Sequence, residues 1–263
     1  MDYLLLPTLS FLIGIIVGLT GIGGASLITP MLIFIFQVPP AVAVSSDIVA
    51  ATMMKVVGGV KHWQQETLDC QVVKWLALGS VPGSLVGVGI LYLIRQMGIA
   101  NLDGVLLHLL GSMILVVVFL GLGQLIIKEF FPNFVLPELP KFDLNTNWGR
   151  MQAMGVGAIL GSMVGMTSVS SGSLFAMALI SFFQLDSRKL VGTDLAQAAI
   201  LLSFTSLGHM FLGTVDWGLV IPIWFGTIPG VMVGAKLCQL MPPSILKFTI
   251  YTLLLGVSFK LVY

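Results

Sequence analysis

The sequence predicts an all-α, polytopic helical membrane protein built from two inverted repeats, each a broken, re-entrant-like helical hairpin plus three transmembrane helices. Three observations predict it: a composition that cannot make a water-facing surface, a repeat at a fixed offset, and a one-sided distribution of basic residues. Of the 263 residues, 57% are hydrophobic and 9% charged, with mean hydropathy +1.05. A soluble domain carries roughly a quarter charged residues, so lipid must cover much of this chain. The stretches Leu4 to Phe36, Trp75 to Ile94, Gly104 to Ile127 and Met151 to Leu185 contain no Asp, Glu, Lys or Arg. Each reaches the ~20 apolar residues needed to cross a bilayer core. Alternating ten-residue strands, the mark of a membrane barrel, do not occur.

Sliding the chain against itself by 147 residues aligns VGLTGIGGASL from Val17 with VGMTSVSSGSL from Val164. Over Gly14 to Gly87 against Gly161 to Gly234, 22 of 74 positions are identical without a gap. The coincidences include Asp47 with Asp194, His62 with His209, Thr67 with Thr214, Asp69 with Asp216, and GSVPG from Gly79 with GTIPG from Gly226. These are mostly not the common apolar residues, so shared hydrophobicity does not explain them. Residues 1–127 form the first membrane repeat, 128–149 a cytoplasmic linker with three prolines, and 150–263 the second, inverted repeat.

Each repeat opens on an overlong apolar stretch, Leu4 to Phe36 and Met151 to Phe183. A straight helix of that length would be about 50 Å, too long for a ~30 Å core. Each is interrupted by small residues, Gly21-Ile22-Gly23-Gly24 and Ser168 to Gly172, and reads as two short helices entering and leaving on one side. Three spans follow in each half: Ala41 to Val60, Val72 to Ile94 and Gly104 to Ile127, then Leu190 to Leu212, Trp217 to Leu240 and Ser244 to Val262. MDYLLLPTLSFLIG lacks the basic start and cleavage site of a signal peptide and reads as a retained membrane segment. If the broken stretches make no net crossing, Lys55, Lys61, Lys74, Lys128, Lys141, Arg150, Arg188, Lys189, Lys236 and Lys247 share one side, against Arg95 and Lys260. A single crossing would give seven to five, so the positive-inside rule selects the first topology. It places the linker in the cytoplasm and both termini outside. Each repeat then crosses an odd number of times, which inverts the second copy. That is the architecture of secondary transporters, with a site expected near the midplane.

The broken segments offer backbone N–H groups at half-helix starts, where the macrodipole is positive. Thr20, Gly21, Gly23, Gly24 and Ser26 in the first and Thr167, Ser168, Ser170, Ser171, Gly172 and Ser173 in the second would bind an anion without Lys or Arg. The alternative is close helix packing by small residues. Asp47 and Asp194 are intramembrane carboxylates, read either as proton carriers, cation ligands or gates, or as hydroxyl-paired supports for the broken segments. His62 and His209 end the same helices and read either as gates and relays or as caps of helix carbonyls. Asp69 and Asp216 read as N-caps, Pro82 and Pro229 as kinks, Lys55 as a snorkelling residue, His108 as structural, and Cys70 and Cys238 as apolar packing. No motif for zinc catalysis, nucleophilic catalysis or ATP hydrolysis occurs. A net charge of +1 without a basic cluster excludes electrostatic binding of nucleic acid. No enzyme activity, cofactor or metal is expected.

The order GxTGxGGxSL, AVSSDIVAA, VVGGVKHW, TLD and GSVPGSLVG, with VGTDLAQA, GHMFLGTVDW and GTIPGVMVG in the second copy, resembles the TauE/SafE family of sulfite exporters and sulfonate permeases. The resemblance implies ion-coupled secondary transport of sulfite, sulfonates or sulfoacetate-like anions across the inner membrane. It implies the two broken segments as the substrate region and Asp47 and Asp194 as embedded polar positions. The chain departs from an even repeat where SVSSGS stands against GIGGAS and Met177 against Pro30. The partners expected are a small anionic substrate, membrane lipid, and a coupling proton or sodium ion; a homodimer is left open. The competing reading is a cation or metal-ion transporter or channel that uses Asp47, Asp194, His62 and His209 as ligands or relay.

Overall fold

The structure is a computed structural model that describes residues 5–20, 25–96, 102–130, 141–168, 172–183, 185, 187–237 and, near the C-terminus, 252, 255, 256, 258 and 260. Among the described residues all regular structure is helical. α1 (Leu5–Thr20) and α2 (Ala25–Phe34) flank 21–24 and precede α3 (Pro40–Gln64), α4 (Cys70–Gln96) and α5 (Leu102–Phe130). In the second half α6 (Asn147–Thr167) and α7 (Ser173–Ala178), the latter continued by a π-helical turn over Leu179–Phe183, precede α8 (Ser187–Phe211) and α9 (Trp217–Leu237). Five helices, within Pro40–Gln64, Cys70–Gln96, Asp103–Leu120, Lys189–Phe211 and Trp217–Gly234, are long and apolar enough to cross a membrane. The chain is thus a multi-pass membrane protein. The expected span Ser244 to Val262 lies largely outside the described residues, as do Gly21 to Gly24 and Ser170 with Ser171.

Several boundaries differ from the sequence reading. α6 starts at Asn147 rather than Met151, because the Thr146 hydroxyl caps it by accepting the Gly149 N–H at 3.1 Å. α5 runs past Ile127 to Phe130. Both overlong stretches are divided into two helices at the positions expected. In the second, the Phe182 carbonyl accepts the Phe142 N–H at 3.0 Å and the two rings stack at 4.6 Å, so the returning end lies against residues that precede α6.

Glycine sets the helix pairing. On α4, Cβ atoms at Gly79, Gly83 and Gly87 would collide with the carbonyls of Met154, Ala158 and Ser162 on α6. On α9, Cβ atoms at Gly226, Gly230 and Gly234 would collide with those of Pro7, Phe11 and Ile15 on α1. Numbers rise together in both pairs, so each pair runs parallel, and the two sets coincide under the 147-residue offset. The backbones approach as they do where small residues replace side chains between membrane helices. α3 and α8, which are themselves repeat mates, cross antiparallel: Ser45 meets His209, the Thr52 hydroxyl reaches the Leu202 carbonyl, and Gly59 packs on Ala196. Each half therefore completes its packing with helices of the other.

Ile28, Leu32, Ile48, Phe175, Leu201 and Leu202 are fully buried in the core, while Phe119, Ile159, Phe225 and Met232 project outward. Such exposed apolar side chains suit lipid. Lys74 and Arg150 both stand over the Trp75 ring at one end of α4, within 5.5 Å and 5.1 Å of its centroid. Arg95, at the other end, donates to the Leu212 carbonyl at 2.7 Å. Twenty-one residues of helix between Lys74 and Arg95 amount to about 32 Å, a bilayer core.

Candidate functional site

Asp47 is fully buried in the second turn of α3. Its Oδ2 accepts the Thr29 hydroxyl at 2.6 Å and the Ser168 hydroxyl at 3.1 Å, and Oδ1 has no partner among the described residues. Thr29 lies on α2, one residue before Pro30. Ser168 ends α6 in the left-handed conformation at φ 62°, its N–H bonded to Val164 O at 2.8 Å. One carboxylate thus ties the return helix of the first hairpin to the break of the second. Seven residues from the start of α3 is about 10 Å, so this junction stands nearer one end of the spans than their middle. The reason is that α6 runs unbroken for 21 residues along α4 before it ends.

The repeat mate is built differently. Asp194 Oδ2 pairs with Lys55 Nζ at 3.3 Å, both side chains about nine-tenths buried. Lys55 therefore does not snorkel; it turns into the α3–α8 interface, where an unpaired carboxylate would be costly. The counterparts explain the difference, since Lys55 corresponds to Leu202, Thr29 to Ala176 and Ser168 to Gly21. The first aspartate has hydroxyl donors and the second a cation.

His209 is buried, and its Nε2 lies 2.9 Å from the Gly165 carbonyl. A carbonyl only accepts, so Nε2 carries a hydrogen and holds the last turn of α6. Nδ1 lies 2.8 Å from Ser45 Oγ, which also lies 2.6 Å from Thr214 Oγ1. His62 Nδ1 lies 2.8 Å from Thr67 Oγ1 at the opposite end of α3. The hinges repeat as well: the Asp69 N–H donates to Thr193 Oγ1 and the Asp216 N–H to Ser46 Oγ, both at 3.0 Å. Asp69 and Asp216 are N-caps as expected, accepting from Val72 at 3.1 Å and from Gly218 at 2.8 Å. His108 bonds its own helix at the Gly104 carbonyl, and Cys70 is exposed at the start of α4 instead of packed.

Of the hydroxyls expected to meet a substrate, Thr167 donates to Met163 O at 2.8 Å and Ser168 to Asp47. The backbones of Thr20, Ser26 and Ser173 lie in α1, α2 and α7, but their side chains fall outside the described residues, as do Gly21, Gly23, Gly24, Ser170 and Ser171. Gly172 precedes α7 without a side-chain cap. Two residues were missed. Thr29 was detectable as a hydroxyl in an apolar run without a polar repeat mate. Arg95 lines a small cavity with Ser45, His209 and Thr214, beside the turn of α6 that His209 holds. Its signal was its isolation on the side that has few basic residues. Among the described residues, no three His, Cys, Asp or Glu side chains group as metal ligands would.

The family model for the sulfite exporter TauE/SafE matches residues 6–261. The chain is similar to the probable membrane transporter protein YjnA of Bacillus subtilis (strain 168), 34% identical over 250 residues that cover 95% of this chain and 96% of that one. It is also similar to YdhB of the same organism, a probable membrane transporter protein, at 26% over 248 residues covering 94% and 95%. No solved structure matches. A match across nearly all of both chains places this one plainly: it belongs to the TauE/SafE sulfite exporter family of membrane transporters.

Proposed function

We propose that the protein is a secondary transporter that moves a small sulfur-containing or organic oxyanion, such as sulfite or a sulfonate, across the inner membrane by alternating access. The observation that carries the reading is the junction at Asp47, where Thr29 of one hairpin and Ser168 at the break of the other meet on a single carboxylate. A change at one break is thereby felt by both hairpins. The antiparallel crossing of the repeat mates α3 and α8 supports an inverted repeat, because a two-fold relation between antiparallel spans requires an axis in the membrane plane. Two equivalent half-assemblies of opposite orientation can exchange roles, so that access opens to either face.

The anion is held by half-helix N–H groups and hydroxyls of the two broken segments. Arg95, with the cavity it shares with Ser45, His209 and Thr214, supplies the cationic approach to the second break. His209 holds the last turn of α6, His62 holds the turn after α3 through Thr67, and coupling to an ion involves a buried aspartate. Purified protein in proteoliposomes should take up labelled sulfite or a labelled small sulfonate saturably. Absence of flux for every such anion, together with cation uptake lost in Asp47→Asn, would replace this reading with the cation transporter.

A further inference from the structure

We propose that Asp47, and not its repeat mate Asp194, binds the coupling proton; the assignment deepens the transport reading above and rests on it only for the word coupling. An ionised carboxylate inside a membrane protein needs a positive partner. Asp194 has one in Lys55 at 3.3 Å. Asp47 is buried at 0% exposure with two neutral hydroxyl donors on Oδ2 and none on Oδ1. It also faces the C-terminal end of α6, whose dipole is negative and adds to the cost of a second negative charge.

No described neighbour supplies the missing charge. α2 carries no titratable side chain, and Lys260, which packs on it, stands over the Phe34 ring at its far end, 4.6 Å from the centroid and five residues past Thr29. From α8, Asp194 is paired with Lys55 further along α3, and His209 is bonded to Ser45 and Gly165. At the start of α9, Asp216 caps its own helix at Gly218. On α5, Asp103 lies 3.4 Å from the Ala41 N–H at the outer edge of α3, and His108 is bonded to its own helix. On α6, Arg150 stands at the opposite end over Trp75. Among the described residues none supplies the positive charge, and a proton from solution can. A proton needs only the one free oxygen, Oδ1, whereas a metal ion needs several ligands, and among the described residues no three His, Cys, Asp or Glu side chains group as metal ligands would.

The proton bonds to Oδ1 and neutralises the carboxyl; its departure leaves Oδ2 as an ionised acceptor for Thr29 and Ser168. Because Ser168 ends α6, protonation changes the strength of the bond that holds the second break, and an anion at that break favours the neutral carboxyl. Asp194, locked by Lys55, keeps its charge through the cycle.

Infrared difference spectroscopy of the full-length protein in liposomes tests this without any substrate. A protonated-carboxyl C=O band that shifts in D2O is expected in the wild type, absent in Asp47→Asn, retained in Lys55→Leu/Asp194→Leu, and displaced in frequency in Thr29→Val. Should Asp47→Asn fail to fold, the Thr29→Val displacement remains as the readout. No such band between pH 5 and 8, a band unchanged by Thr29→Val, or one lost with Asp194, overturns the proposal. A band that maps to Asp47 while sulfite and sulfonate flux are both nil upholds the proton site and refutes the transport reading. Anion uptake that ignores an imposed pH gradient and follows a sodium gradient, with no band, refutes the proton site alone.

Discussion

Replacing Gly14 by Ala separates the effect of close backbone approach from that of helix propensity. A Cβ there would stand 2.7 Å from the Thr227 carbonyl oxygen, 3.0 Å from Thr227 Cα and 3.1 Å from Gly230 Cα. All three are backbone atoms of α9, so no rotamer change relieves the contact. Ordinary contact starts at 3.4 Å, so α1 and α9 must separate by roughly 0.7 Å, enough to forfeit a quarter to a half of each dispersion well along the seam. Overpacking of this kind costs about 1–3 kcal/mol. Alanine returns about 0.5–1 kcal/mol because glycine is the poorer helix former. The net is destabilisation by up to about 2.5 kcal/mol. Gly155 supplies the control: it is exposed on α6 with nothing within 4 Å of its would-be Cβ. Gly155→Ala keeps only the favourable part, a gain of about 0.5–1 kcal/mol. Gly161, the repeat mate of Gly14, meets the Ser80 backbone on α4 more closely still, so Gly161→Ala should cost at least as much. Thermal unfolding in detergent, followed by size-exclusion recovery, reads the difference. Midpoints that rise alike in Gly14→Ala and Gly155→Ala would refute the close-packed parallel seam.

The buried pair predicts that Lys55→Leu alone, or Asp194→Leu alone, destabilises by about 3–5 kcal/mol, while the double variant recovers most of the loss, because the orphaned charge and not the missing attraction carries the cost; a double-mutant cycle on unfolding midpoints reads the coupling. His209→Phe removes the bond to Gly165 and should cost about 1–3 kcal/mol and lower anion flux, whereas His62→Phe, at a half-exposed site, should cost less; equal effects would contradict the difference in burial. Arg95→Gln should raise the apparent KM for the anion about tenfold with little change in maximal flux, as expected for a group that attracts the ligand without joining the step; an unchanged KM removes Arg95 from the entry route. Asp216→Ala and Asp69→Ala should each cost about 1 kcal/mol through loss of an N-cap, measurable as equal drops in midpoint.

The scaffold was legible in the sequence because membrane helices leave coarse marks: charge-free stretches, prolines and glycines at repeat positions, and basic residues on one side. Gly79, Gly83 and Gly87 could be read as packing residues from the repeat, and the caps at Asp69 and Asp216 from their place before apolar runs. The polar centre was less legible. Asp47 and Asp194 stood out as rare buried charges, but their partners come from 18 and 139 residues away, Thr29 and Lys55, and nothing local announces such contacts. Lys55 looked like a snorkelling residue because a lysine in a span with no repeat mate usually reaches for water; only the α8 register reveals a carboxylate opposite it. The level of the second break escaped for a related reason. Small residues mark where a helix stops, but not the register along α4, which Gly79, Gly83 and Gly87 set against Met154, Ala158 and Ser162.

What remains is why a repeat whose glycine seams match position for position should treat its two aspartates so differently. The seams are a geometric requirement: two parallel pairs and one antiparallel crossing must fit together in either orientation, so a change on one side must be matched on the other. A charge site has no such requirement. If both aspartates bound protons, each half-cycle would load and unload a carboxyl at either end of α3, and a proton could cross without cargo. Fixing Asp194 with Lys55 leaves one exchangeable carboxyl, set between Thr29 of one hairpin and Ser168 of the other. On the proposed mechanism, a single site that touches both moving parts ties one proton to one conformational exchange. Moving the lysine to the other aspartate, as Lys55→Leu with Leu202→Lys, should then transfer the infrared carboxyl signal from Asp47 to Asp194. A signal that stays with Asp47 would mean that something other than the nearby ammonium decides which carboxyl is neutral.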